Sequence, residues 1–299
     1  LNESKMKTIK YIAVFLCCTS IFSACSSNNE ENVSEVTKVP LELTVSNKST
    51  RAAIEGTTLP YQTSFGLFIY NEYDKLTDDP QNVSVFYDGN CKMSNDIYLS
   101  KSPKYVKAYW PYQEYVNNGF VNIYEQIDLL CGSSYDAEGN IKKVDQDNPK
   151  ADLVFSHIMS RIVFKIRRTT AFGRDIHLSR INISNMNIEG QLDCMSSKIV
   201  NTYIGEWSSV VDINVSEDIS VIDNIIIPVL EGGHEISLYD SEENIYNTII
   251  YTGEWLPGVQ YTYEIVFDDN GIKVSEAQIT EWEVETQEGS EITDENIKN

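Results

Sequence analysis

The stretch ADLVFSHIMSRIVFKIRR, Ala151 to Arg168, lies at the middle of the chain and carries two apolar alternations that do not match. In its first half Leu153 and Phe155 share a face with His157, while Asp152 and Ser156 point away. In its second half Ile162, Phe164 and Ile166 share a face, opposite Val163, Lys165 and Arg167. Successive side chains of a strand leave opposite faces, so each half reads as β-strand. The parity changes between His157 and Ile162. One regular strand does not allow this, because a one-residue slip turns every side chain over. A β-bulge or a short break is therefore expected within Ile158 to Arg161. The polar run Thr169 to Asp175 follows as a connection. The strand is read as closing a first domain, 39–170, with a second, 171–299, after it.

The rest of the chain repeats this style. Phe65–Tyr70, Val83–Tyr87, Tyr105–Trp110 and Phe120–Tyr124 are short strand patterns separated by turn residues such as Asp88-Gly89 and Asn117-Asn118-Gly119. In the second half, Ile176–Ile183 changes phase, so a bulge is expected there. Val210–Val215, Ile222–Leu230 and Ile236–Tyr239 read as strands, and Glu231-Gly232-Gly233 reads as a turn. Tyr261, Tyr263, Ile265 and Phe267 alternate before the tight turn Asp269-Asn270-Gly271. No long stretch shows a 3.6-residue apolar period. The length of 299 residues exceeds one domain of usual size. The expectation is an all-β chain of two consecutive β-sandwich domains.

The N-terminus reads as a targeting segment, 1–25. Lys7 and Lys10 make a basic region, and Tyr11 to Phe22 is apolar but too short for the ~20 residues that span a bilayer. Phe22-Ser23-Ala24-Cys25 resembles a bacterial lipobox, in which Cys25 would be acylated and become the first mature residue. A plain secretory peptide is the other reading. Residues 26–38 are polar and acidic and read as a flexible tether. The expected destination is the outer membrane and cell surface.

Composition and motifs point away from catalysis. A formal net charge of -22 disfavours nucleic acid and anionic lipid headgroups as partners. No phosphate loop, nucleophile elbow or dinucleotide fingerprint is present. His157, His177 and His234 lack zinc-ligand spacing, and His157 reads as a hydrogen-bonded structural residue. Asp145-Gln146-Asp147-Asn148 begins like a calcium loop, but Pro149 and Lys150 stand where a ligand and a glycine belong. Cys91, Cys131 and Cys194 form no C-x-x-C pair; free buried thiols and a single bridge both remain open. Trp110, Tyr112 and Tyr115 could stack a sugar or pack internally. No cofactor, metal or catalytic residue is expected, and the chain is not read as an enzyme.

One element suits a different chemistry. Leu41, Leu43 and Val45 alternate with Glu42 and Thr44, giving a short strand with one apolar face. Polar residues and then Arg51 follow, the sort of exposed loop that a protease nicks. A sandwich that loses such a strand exposes backbone groups and an apolar groove, and a strand from another chain can fill both.

Three stretches carry a family resemblance. The pattern L-x-F-x-H-x-x-S-R-I-x-F-x-I from Leu153 to Ile166, VKAYWPY at Val106–Tyr112, and Pro257 to Trp282 resemble, in this order, the fimbrillin (Mfa-like) family of surface-pilus subunits of Gram-negative anaerobes. The resemblance implies transthyretin-like sandwiches and removal of the first strand by an Arg-specific protease, for which Arg51 is the matching position. It also implies partnership with other fimbrial subunits, a membrane hold through lipid on Cys25, and a receptor on a host or bacterial surface. The candidate donor segment runs through Trp282 and Val284 to Ile292. Its many acids make it a poor donor, which fits a tip, anchor or accessory subunit better than a shaft. The alternative is a surface lipoprotein that binds polysaccharide and does not polymerise.

Overall fold

The computed structural model describes residues 38–46, 59–71, 75–123, 127–227 and 231–282. Among these every regular element is a strand, apart from a single 3-10 turn at Thr170–Phe172. The first half supplies β1 (Val39–Pro40), β2 (Glu42–Val45), β3 (Thr63–Asn71), β4 (Val83–Tyr87), β5 (Cys91–Met93), β6 (Tyr98–Leu99), β7 (Lys104–Trp110), β8 (Phe120–Ile123), β9 (Leu130–Ser134), β10 (Lys143–Val144) and β11 (Lys150–His157). The second half supplies β12 (Ser160–Arg168), β13 (Ile176–Asp193), β14 (Lys198–Val215), β15 (Ser220–Ile227), β16 (Glu231–Asp240), β17 (Ile245–Glu254), β18 (Val259–Asp268), β19 (Gly271–Val274) and β20 (Gln278–Glu281).

The first sheet runs β2-β11-β9-β7-β3-β4-β5, with β10 beside β7; β1 and β6 form a separate ribbon. Two further sheets make up the second half. One is β15-β12-β18-β19 with β20 on β18, and the other is β14-β13-β16-β17 with β8 on β13. Their facing sides share one apolar core, in which Phe164 and Ile166 of β12 meet Ile181 and Leu238 of the opposite sheet. The first sheet has its own core around Phe65, Leu67, Leu153 and Phe155. Its other face carries Phe68, Tyr70, Tyr109 and Cys131, and is covered by Val121 and Ile123 of β8, Leu192 at the end of β13 and Cys194 just beyond it. Burial on both faces explains why β3 reads as an almost unbroken apolar run rather than an alternation.

The parity change expected in the central stretch is a break. β11 stops at His157 and β12 starts at Ser160, with Ile158 and Met159 buried between them. β11 pairs with β2 and β9 in the first sheet, whereas β12 pairs with β15 and β18. The chain thus changes sheets at the break, and β12 joins the strands that follow it in sequence. The expected bulge in β13 is also present, as a register shift between Leu178 and Arg180 against both neighbours. The hairpin turns at Gly89 and Gly271 have φ of 93° and 118°, a left-handed region that glycine reaches without Cβ strain. The turn read at Glu231-Gly232-Gly233 is instead the start of β16, because these residues pair with Glu254, Thr252 and Tyr251 of β17.

Candidate functional site: the edge strand of the first sheet

β2 completes the first sheet with four residues and lies parallel to β11, Glu42 opposite Lys150 and Val45 opposite Leu153. Backbone bonds extend it at both ends: Leu41 N–H donates to Ile97 O at 2.8 Å and Ser46 N–H to Leu153 O at 2.9 Å. The alternation read from sequence is the one the fold uses. Leu41 is buried in the first core, Leu43 and Val45 are half-buried against it, and Glu42 and Thr44 face out. On that outer side the Thr44 hydroxyl donates to Asp152 Oδ1 at 2.8 Å, tying residues that are also register partners. Nothing local in the sequence marks this tie, because the two residues are 108 positions apart.

The magnitudes describe a strand that is held but not locked. Full burial of an aliphatic side chain is worth about 1.5–3 kcal/mol, so one full and two half burials give roughly 3–6 kcal/mol before ordering costs. The exposed Thr44–Asp152 bond adds register more than energy. Twelve residues, 47–58, separate Ser46 from Leu59, the next described residue, which is buried in the same core. Arg51 lies in that interval; it is outside the described residues, and so are Cys25, Val284 and Ile292.

Trp282, expected as part of a donor segment, belongs to the chain's own packing. β20 pairs with β18, and Trp282 N–H donates to Gly258 O at 2.9 Å. The Trp282 indole stacks on the His157 imidazole, with centroids 4.2 Å apart and planes 13° from parallel. His157 Nδ1 is 2.9 Å from Asp128 Oδ1, and Gly258 N–H donates to Met159 O at 2.8 Å. These contacts gather the sheet break, the β17–β18 connection and the end of β20 at one point. His157 therefore has the structural surroundings expected of it, with Asp128 as the partner that the sequence did not reveal.

The remaining chemistry-bearing residues are dispersed. His177 contacts Asn214 and Asp212 on the surface, and His234 stacks on Trp255 at 4.2 Å. Burial lowers the pKa of His234 and keeps its ring neutral. Cys131 and Cys194 are free thiols whose pKa burial raises, and burial pushes the Cys91 thiol up to about 11. Thiols so shifted are poor nucleophiles. Asp145 Oδ1 accepts the backbone N–H groups of Asp147 and Asn148, so its carboxylate closes a turn. Among the described residues no group of three His, Cys, Asp or Glu side chains is placed to hold a metal ion. Trp110, Tyr112 and Tyr115 do not form a shared platform. Trp110 packs on the first core and bonds Thr63, Tyr112 packs on the opposite face of the sheet, and Tyr115 is exposed.

Together these features define an all-β protein whose first sheet is completed at one edge by a short, lightly held strand. Residues 50–282 match the fimbrillin-like family, and the chain belongs to that family. Solved structures agree at the level of fold. A protein provisionally assigned to cell adhesion from Bacteroides uniformis aligns with TM-score 0.59 at 17% identity, covering 82% of this chain and 99% of that one. A second such protein, from Bacteroides ovatus, aligns with TM-score 0.59 at 16% identity, covering 83% and 99%. A third, from Bacteroides fragilis, aligns with TM-score 0.51 at 13% identity, covering 83% and 100%. No protein of curated function matches the chain in sequence. Membership of this family makes the chain a fimbrial-type subunit of a cell-surface appendage.

Proposed function

We propose that the chain is a tip, anchor or accessory subunit of a fimbria, assembled when proteolysis frees β2 and a strand from another subunit takes its place. The observation that carries this reading is the edge position of β2. Its apolar residues fill a groove in the first core, while a single neighbouring strand, β11, supplies its sheet pairing. Cutting after Arg51 would separate β2 from the body of the domain. The vacated groove would then offer the edge of β11 and the apolar surface beneath Leu41, Leu43 and Val45.

Two features favour the tip, anchor or accessory position over the shaft. Trp282 is engaged with His157 and Gly258, which withdraws it from a mobile donor segment. The sequence beyond it, EVETQEGSEITDENIKN, is rich in acids and offers few aliphatic anchors. Lipidation at Cys25 would hold an uncut chain to the outer membrane. The experiment is Arg-specific digestion of the purified chain, followed by sizing with and without a candidate shaft subunit, beside Arg51→Ala. The expected outcome is partner binding after cutting, little homopolymer, and no partner binding by Arg51→Ala. Long homopolymers of the cut chain would exclude the tip or anchor assignment. Equal partner binding by Arg51→Ala would exclude the cleavage step.

A further inference from the structure

β14 is an open edge of unusual length. It has 18 residues, roughly 60 Å of strand, and among the described residues its sheet partner is β13 alone. Exposed edges of this kind are normally blunted by lysine, proline or inward-pointing charge, since their free N–H and C=O groups template pairing with another chain. β14 is irregular at Val200–Tyr203, where Asn201 has φ of 52°, and at Val210–Ile213, and the regular stretch between, Tyr203–Val210, has none of these. From Ile199 to Val211 it carries one charged residue, Glu206, in a chain whose net charge is -22. It instead exposes apolar side chains: Val210 is 85% exposed and Ile204 52% exposed. The inward residues Trp207, Val211 and Ile213 pack on the core between the two second-half sheets, so the strand is held in place with its other edge outward.

We infer that β14 is a self-pairing edge, where a second copy of this chain adds antiparallel about a two-fold axis through Trp207. The sequence of the strand selects this register. Ile204 and Val210 stand three residues on either side of Trp207, so each faces the other across the pair. Glu206 then meets Ser208 of the partner copy, both within the regular stretch. No carboxylate opposes another, although the chain as a whole is strongly acidic. The result is one continuous sheet in which β17-β16-β13-β14, with β8 on β13, runs into the same five strands of the second copy. An isologous pair of this kind is closed and stops at a dimer. This edge is distinct from that of β2, so the inference does not depend on strand exchange.

The test uses the full chain carrying Cys25→Ala and Arg51→Ala, so that neither an acyl chain nor cleavage at Arg51 can contribute to association. Sedimentation equilibrium is run across protein and salt concentration. The chain is expected to show a monomer–dimer equilibrium that strengthens with salt, as screening relieves repulsion between two acidic copies. Val210→Lys places a charge opposite Ile204 and is expected to weaken the dimer at least tenfold. Adding Ile204→Glu places a carboxylate opposite that lysine in the partner copy, and is expected to restore the dimer. Within one copy, positions 204 and 210 are too far apart along the strand for the two charges to pair, so recovery reports the intermolecular register. Both sites are exposed, and circular dichroism checks that each variant keeps the wild-type strand signal. A chain that stays monomeric throughout would overturn the inference. So would a Val210→Lys protein that dimerises like the parent, or a double variant that does not recover.

Discussion

At the scale of single residues, the fold concentrates its constraints where sheets change or approach closely. His157 is held by Asp128 on one side and by the Trp282 indole on its face. His157→Asn keeps a hydrogen-bonding group but loses the stack, and should cost about 0.5–1.5 kcal/mol in a denaturant titration. Trp282→Ala removes a mostly buried indole and should cost about 3–5 kcal/mol. Gly66 shows the same economy of space. A Cβ there would lie 2.0 Å from Tyr109 Cε1, and that ring is fixed by its hydroxyl, which donates to Asn82 Oδ1 and accepts from the Gln113 N–H. Gly66→Ala should therefore lower stability by about 1–3 kcal/mol.

His234 supplies a pH dependence whose sign follows from its burial. Its pKa is lower in the folded chain than in the unfolded one, so the unfolded state binds the proton first as pH falls. Its neutral form contributes its full stability above the unfolded value of about 6.5, and that contribution is lost progressively below it. Melting temperature should decline as pH falls from 7 towards 5, and His234→Gln should flatten that part of the profile. An unchanged profile would show that other groups control it.

At the scale of elements, β2 and the β11–β12 break carry the functional argument. Leu41 is the most buried side chain of the β2 segment, so Leu41→Ala should weaken its docking by about 2–4 kcal/mol. Hydrogen exchange should then rise over Leu41–Ser46 while the amides of β3 and β7 remain protected. Thr44→Val removes the tie to Asp152 and should cost under about 1.5 kcal/mol. Both features were legible in sequence for the same reason. Period-two alternation exposes a strand with one apolar face, and a change of parity exposes a break. What the alternation could not show was the partner of each half, because pairing with strands far away in sequence leaves no local signature. Hence β12 reads as the end of the first half in sequence but pairs with β15 and β18. The glycines at the start of β16 misled for a related reason. Glycine usually marks a turn, and here the pairing with β17 overrides that tendency.

At the scale of the whole molecule, the first sheet is packed on both faces, and part of its cover comes from the end of β13 in the second half. The all-β class followed from the density of short alternating runs, and the family from three ordered stretches centred on β7, β11–β12 and β18–β20. The Asp128–His157–Trp282 cluster was not legible, since its members come from three separate segments and only the fold assembles them. The proposed function makes β2 an exchangeable strand. Native mass spectrometry of the chain after Arg-specific digestion, with and without a candidate shaft subunit, tests it most directly. The fragment containing Leu41–Val45 is expected to stay bound after cutting alone, and to be displaced when the partner binds, in a complex that lacks it. A complex that retains the fragment, or one that forms equally well without cutting, would exclude exchange of β2.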